Sequence, residues 1–274
     1  MAKKEANTAQ ANLIELDDLN LDSSWLKASS IHAQQLVVGS DAGAAIEHLV
    51  YGLGLDSFVL DVGGNETASK TLAAIGEQML YRHFDLVVIP VRDEGQDVDN
   101  ALKTIKLIRE HDKEVRIAIL LNDISSRSQD VSDLSLREAF AEVFDLADQA
   151  GTELLVMPRV ERYGRSRRLR MTQWEIAEHR DALLERLKNQ VIEAENAGDR
   201  ETAKLNTRLI RAVTGAKAVR EMLDVVHRRL DEILGDRQRL RLMAVSTKGG
   251  VGKSFTSQQI LATYLLAREA RRHG

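Results

Sequence analysis

The stretch Ser246-Thr247-Lys248-Gly249-Gly250-Val251-Gly252-Lys253-Ser254-Phe255 holds the residue types that wrap a chain of phosphates. Gly249, Gly250 and Gly252 let backbone N–H groups converge on an anion, because glycine reaches dihedrals and approach distances that a Cβ forbids. Lys253 offers a cation to the β- and γ-phosphates, and Ser254 offers a hydroxyl to Mg²⁺. A helix starting at this point, with Val251 and Phe255 flanking its first residues, adds the positive end of its dipole. The chemistry such a set supports is nucleotide binding, with phosphoryl transfer driven by positioning and charge stabilisation.

A loop of this kind works only between a strand that delivers it and a helix that receives the anion. "LRLMAVS", 240 to 246, predicts a short buried strand. "SFTSQQILATYLLAREARR" after it predicts a helix whose last-turn arginines suit the negative end of the dipole. Further apolar runs at 12–16, 57–62, 84–91, 115–122 and 152–158 are continuous rather than alternating, the pattern of strands covered on both faces. Helix-like stretches lie between them at 67–82, 95–111 and 135–150. The alternation predicts an α/β fold, a mainly parallel sheet with helices on both faces. From Met171 to Leu234 there is no proline, and apolar residues recur at helical spacing. This predicts a helical arm over 169–237 with a turn at 196–202, set beside a nucleotide-binding domain made of 1–168 and 238–274.

The 274 residues carry 38 Lys and Arg against 42 Asp and Glu, a net charge of -4 that gives no global sign of nucleic-acid binding. The absence of cysteine excludes disulfides, thiol catalysis and cysteine-held clusters. The seven histidines have no metal-ligand spacing. No apolar run follows Lys3 and Lys4 as in a secretory signal, and none approaches the roughly 20 residues of a membrane span, so a cytoplasmic protein without a membrane anchor is expected. One segment departs from the acidic balance. "PRVERYGRSRRLR", 158 to 170, has six arginines and one glutamate, either a patch for DNA phosphates or a solvated linker.

With Thr247 where the usual phosphate loop begins with glycine, and Lys248 next, "KGGVGKS" resembles the deviant Walker A motif of the ParA/MinD family of ATPases. Other segments resemble the rest of that family's pattern. "LIELDDLN" at 13–20 is similar to its switch I strand, with Asp17 matching the aspartate that positions the attacking water and contributes at the metal. Glu15 stands where the family more often has aspartate. "FVLDVGGNE" at 58–66 is similar to Walker B and switch II, with Asp61 directed at Mg²⁺ and Gly63 at the γ-phosphate. Asn122 in "ILLND" matches the adenine-reading asparagine, and Pro158 lies in a strand resembling the one that closes around the base. The resemblance covers roughly 200 residues and leaves the arm outside it. It implies ATP and Mg²⁺ as ligands, a homodimer in the ATP state with Lys248 reaching the partner's nucleotide, Lys253 and Asp17 in catalysis, and an adaptor or cargo protein. Plasmid or chromosome partition at the nucleoid, or plasmid transfer, are the outputs it suggests.

The order of these segments is rotated relative to the family, since the phosphate loop and its helix come last instead of first. Joining the last residue to the first restores a strand, helix and strand succession, so a circular permutation is expected. Neighbours in space rather than in sequence are what such a site requires. A protein that binds nucleotide for stability and acts through its helical arm, with weak or no hydrolysis, is the alternative.

Overall fold

A computed structural model of the chain describes residues 10–16, 22–36, 42–52, 57–62, 66–92, 95–160, 167–246 and 252–273. Two compact units are formed, one from 1–23, 30–159 and 226–274, the other from 24–29 and 160–225.

The first unit is an α/β fold with a seven-stranded, all-parallel sheet. In chain order its elements are β1 (Ala11–Leu16), β2 (Ile31–Leu36), α1 (Ala42–Glu47), β3 (Phe58–Val62), α2 (Glu66–Glu77), β4 (Leu86–Val91), α3 (Gly95–His111), β5 (Ile117–Ile124), α4 (Leu134–Ala139), α5 (Ala141–Ala150) and β6 (Glu153–Pro158). Much later in the chain come β7 (Arg241–Ala244), a helical turn α9 (Lys253–Phe255), a π-helical segment Thr256–Leu261 and α10 (Ala262–His273). The strand order is β2-β1-β3-β7-β4-β5-β6, so the last strand in sequence is the middle one in space.

Continuous apolar strands need cover on both faces. On one face, Phe58, Leu60, Val62, Val87, Ile89, Ile117 and Ile119 pack with Leu72, Ile75, Ile105, Ile108, Val143 and Phe144 from α2, α3 and α5. The alternate strand residues Leu13, Val59, Val88 and Leu120 are also buried. On their side α10 packs against β1, β2 and β3.

The second unit is helical. α6 (Gln173–Glu178) starts at a reciprocal cap, in which Thr172 Oγ1 accepts from the Glu175 N–H and the Glu175 carboxylate accepts from the Thr172 N–H. α7 (Arg180–Asn196) and α8 (Arg200–Leu234) follow, joined by three residues where the turn is predicted. Leu183, Leu187, Leu209, Val213 and Ala216 form their common core. The boundary between units falls inside α8, after Val225.

The last turns of α8 belong to the first unit and tie α10 down. Asp231 accepts from Tyr264 Oη at 2.8 Å and from Arg271, and Arg268 donates to the carbonyls of Gly235 and Arg237. Arg272 adds bonds to the carbonyls of Gln238 and Arg237. Carbonyls at and beyond a helix end accept readily from arginine, so the tether satisfies groups the helix leaves open.

Three elements are not anticipated by the sequence patterns, β2, α1 and the π-helical segment His48–Gly52. β2 lies at the edge of the sheet and reads "IHAQQL", with most of its residues partly or fully exposed, so it lacks the continuous apolar run of the central strands. α1 and the π-helical segment His48–Gly52 after it are short. The helix predicted at 135–150 is divided at Phe140 into α4 and α5.

Leu60 is fully buried on a central strand, and Leu60→Ala is expected to cost about 2–5 kcal/mol in urea unfolding. Ile192→Ala on α7, where the side chain is 56% exposed, is expected to stay within about 0.5 kcal/mol. Equal effects of the two would contradict the assigned core.

Candidate functional site

Parallel strands present all their carboxyl ends at one edge. Here that edge carries Glu15 from β1, Asp61 from β3, Ser246 just beyond β7, Arg92 just beyond β4, Asn122 from β5 and Pro158 from β6. The helix that follows β7 runs back over β3, β1 and β2, whereas the chain leaving β3 and β4 leads on to β4 and β5. Connections that part in opposite directions open a crevice at the carboxyl end, the usual ligand position in open α/β sheets. Ser246, where the glycine-rich segment begins, follows β7 at this point.

Pairing of β3 with β7, Asp61 opposite Ala244, brings together residues 183 positions apart in the chain. Lys253 Nζ lies 3.4 Å from Asp61 Oδ1, with both side chains largely buried. The other carboxylate oxygen of Asp61 accepts a 2.5 Å bond from Ser257 Oγ, which also reaches the Ser254 carbonyl at 3.3 Å. Ser254 and Phe255 form the helical turn with Lys253 and are partly exposed.

Glu15 and Asp61 are register partners on adjacent strands, so two acids sit side by side. Glu15 Oε1 accepts from Gln258 Nε2 at 3.2 Å, and Oε2 accepts from the Ser23 N–H at 3.2 Å. Burial pushes the Glu15 carboxyl above its ordinary pKa, the hydrogen bonds from Ser23 and Gln258 oppose this, and the charge of Asp61 adds to it.

Gly252 is held at φ 85°, ψ 24°, in the left-handed region. A Cβ there would fall 2.1 Å from Asn122 Nδ2. The residue taken from the sequence as a base reader therefore stands against the loop, and its side chain is buried. Asn122 pairs across with Met157, next to a bulge in which Asp123 has φ 60° and Ile124 pairs with Pro158. At the end of β4, Arg92 Nε lies 3.2 Å from Asp97, whose side chain is fully buried at the start of α3.

Of the residues singled out from sequence, Asp61, Asn122, Pro158, Gly252, Lys253, Ser254 and Phe255 are described, and all lie along this edge or on the helix that opens from it. Asp17, Gly63, Lys248, Gly249, Gly250 and Val251 lie outside the described residues. Ser257, Gln258, Ser23 and Arg92 were missed. Thr256, Ser257, Gln258 and Gln259 are four consecutive polar residues, all fully buried. A polar run inside a helix that must pack on a sheet is the signal that finds two of them. They lie in the π-helical segment, a local widening often found beside functional sites.

Among the described residues no group of three His, Cys, Asp or Glu could form a metal cage. Magnesium does not require one, since it binds through one or two carboxylates with substrate phosphates and water. The hard oxygen donors of Asp61 and Ser254 suit it. No helix among the described residues is long and apolar enough to cross a membrane. The chain matches no protein-family model, no curated protein and no solved structure.

Gly252→Ala is expected to lower stability by about 1–2 kcal/mol from the left-handed backbone alone, with the Asn122 contact adding to it. In an Asn122→Ala background the same change should cost less, because only the backbone cost is left. A thermal double-mutant cycle with no coupling would contradict the contact. For Glu15 the folded-state pKa is raised, so its contribution is fully present below the unfolded-state value, about 4.3. It is lost as pH rises through the folded-state value. Glu15→Gln should therefore gain stability relative to wild type as pH rises from 4 to 8, in thermal denaturation across that range.

Proposed function

We propose that the chain is a Mg²⁺-dependent ATPase of the ParA/MinD type, with its phosphate loop at 246–255 and its segments circularly permuted. The approach of Lys253 to Asp61 carries this reading. A lysine at the start of the helix after a glycine-rich loop, facing an aspartate on the neighbouring strand, is the pairing a P-loop site uses for phosphate and metal. The central place of β7 and the packing of α10 on β1 and β3 support the permutation, because they are what a strand and helix preceding β1 would do.

In this reading Lys253 and the loop N–H groups of Gly249, Gly250, Val251 and Gly252 bind the phosphates, with the start of the following helix, Ser254 and Phe255, beneath them. Ser254 and Asp61 would hold Mg²⁺, with Asp17 contributing, and the metal would supply charge neutralisation for the phosphates. Asp17 orients the attacking water, and Gly63 reports on the γ-phosphate. Asn122 and Pro158 border the base. The Lys253–Asp61 pair keeps both charges satisfied within a largely buried site, where an unpaired charge is costly. Lys248 reaches the nucleotide of a second copy, so dimerisation follows ATP. The dimer would act on an adaptor or cargo protein in partition or transfer, with DNA held by arginines of 159–170.

Light scattering of the purified chain in ADP and in ATP with Mg²⁺, with Asp17→Ala to slow turnover, tests the switch. The mass should double only in ATP. Lys253→Ala should reduce ATP affinity by at least tenfold, and Lys248→Ala should bind ATP without dimerising. A mass indifferent to nucleotide would move the reading to an interaction protein that acts through its helical arm.

A further inference from the structure

The connection between β1 and β2 is shared by the two units. Ser23 belongs to the first, where its N–H donates to Glu15 Oε2 at 3.2 Å, and Ser30 returns to that unit by accepting from the Ala11 N–H. The residues between them, 24–29, belong to the helical unit. They are held there by side chain and backbone together. Ser29 Oγ donates to Glu175 Oε2 at 2.7 Å, the Ala28 N–H donates to the Arg170 carbonyl at 3.0 Å, and the Arg167 guanidinium lies over the Trp25 ring, 5.3 Å from its centroid.

This hold is built rather than incidental. Glu175 is 3% exposed, and the oxygen that takes the Ser29 hydroxyl also takes the N–H and the hydroxyl of Thr172. The cap that starts α6 and the grip on the connection therefore share one atom. Arg170, whose carbonyl receives Ala28, has φ 59°, a left-handed conformation that a residue with a Cβ seldom adopts. Such backbone persists where its surroundings over-determine it. At the other end, Glu15 is the register partner of Asp61, and its second oxygen accepts at 3.2 Å from Gln258, on the helix that begins at Lys253.

From these observations we infer that the helical unit is a regulatory element of the candidate nucleotide site, coupled to it through residues 22–29, with Glu175 as the positioning residue. The identity of the ligand rests on the ATPase reading. A phosphate ligand that fixes the helix start at Lys253 also fixes Gln258, and with it Glu15 and the Ser23 N–H. Chain continuity carries that order into 24–29, where Ser29 passes it to Glu175 and α6. Order imposed at one end need not be imposed again at the other, so the two events are cooperative and, as binding free energies, reciprocal. A partner that shifts the helical unit then changes the affinity for ATP, and ATP changes the readiness of that unit for a partner.

The test uses the full chain with Mg²⁺ and the β,γ-imido analogue of ATP, reading amide hydrogen exchange over 22–29 and 172–179 and analogue affinity by calorimetry. The analogue should slow exchange in both segments by about fivefold or more. Ser29→Ala removes the hydroxyl and leaves the Thr172 cap in place. It should abolish the nucleotide-dependent slowing at 172–179 and weaken analogue binding, by a factor no larger than the slowing seen in the wild type. Ser29→Thr should restore both, and Trp25→Leu serves if Ser29→Ala does not fold. Exchange that quickens in Ser29→Ala equally with and without the analogue, at unchanged affinity, marks a merely structural bond and overturns the proposal. A wild type that binds the analogue without altered exchange in either segment overturns the coupling and leaves the ATPase reading standing. A wild type that binds no analogue overturns both.

Discussion

The site depends on one insertion, that of β7 between β3 and β4. The ladder that joins Phe58–Asp61 to Arg241–Ala244 on one side and Leu86–Val88 to Leu242–Ala244 on the other is set by backbone hydrogen bonds and by apolar cover on both faces. A one-residue slip would turn Met243 to the opposite face of the sheet and carry Lys253 away from Asp61. Register therefore places Lys253 beside Asp61, and chain order plays no part in it.

Holding that arrangement requires the helix after the loop to stay packed, and the structure supplies polar and charged anchors along its length. At its start Ser257 and Gln258 bond to Asp61 and Glu15. In the middle, His227 Nε2 lies 3.2 Å from the Ile260 carbonyl and 3.3 Å from Thr263 Oγ1. Near its end Tyr264, Arg268 and Arg271 converge on Asp231. Helices near a chain terminus fray unless they are tied down. These bonds do the tying, and those of Ser257 and Gln258 satisfy groups that burial would otherwise penalise.

The two acids at the centre are a cost that this packing accepts. Glu15 and Asp61 face each other from neighbouring strands in a buried setting, which disfavours two full charges. Lys253 and Ser257 answer Asp61, whereas among the described residues the donors to Glu15 are neutral, Gln258 and the Ser23 N–H. The asymmetry explains why burial lifts the Glu15 carboxyl. It also makes Asp61 the acid equipped to face a cation.

Much of this was legible in the chain before any folding. Continuous apolar runs at 57–62, 84–91, 115–122 and 152–158 required a parallel sheet covered on both sides, and the Gly-Lys-Ser cluster suggested the chemistry proposed above, because both are local properties of composition and spacing. β2 was not legible, since an edge strand needs no second apolar face. The partnership of Ser257 and Gln258 with the two acids was hidden as well, because a helix turn shows its polar residues without showing which face meets the sheet. Only tertiary structure decided that Asn122 stands against Gly252 and that Lys253 meets Asp61 across 192 residues. Strand order and helix docking determine those distances, and they are settled by long-range packing that local sequence does not encode.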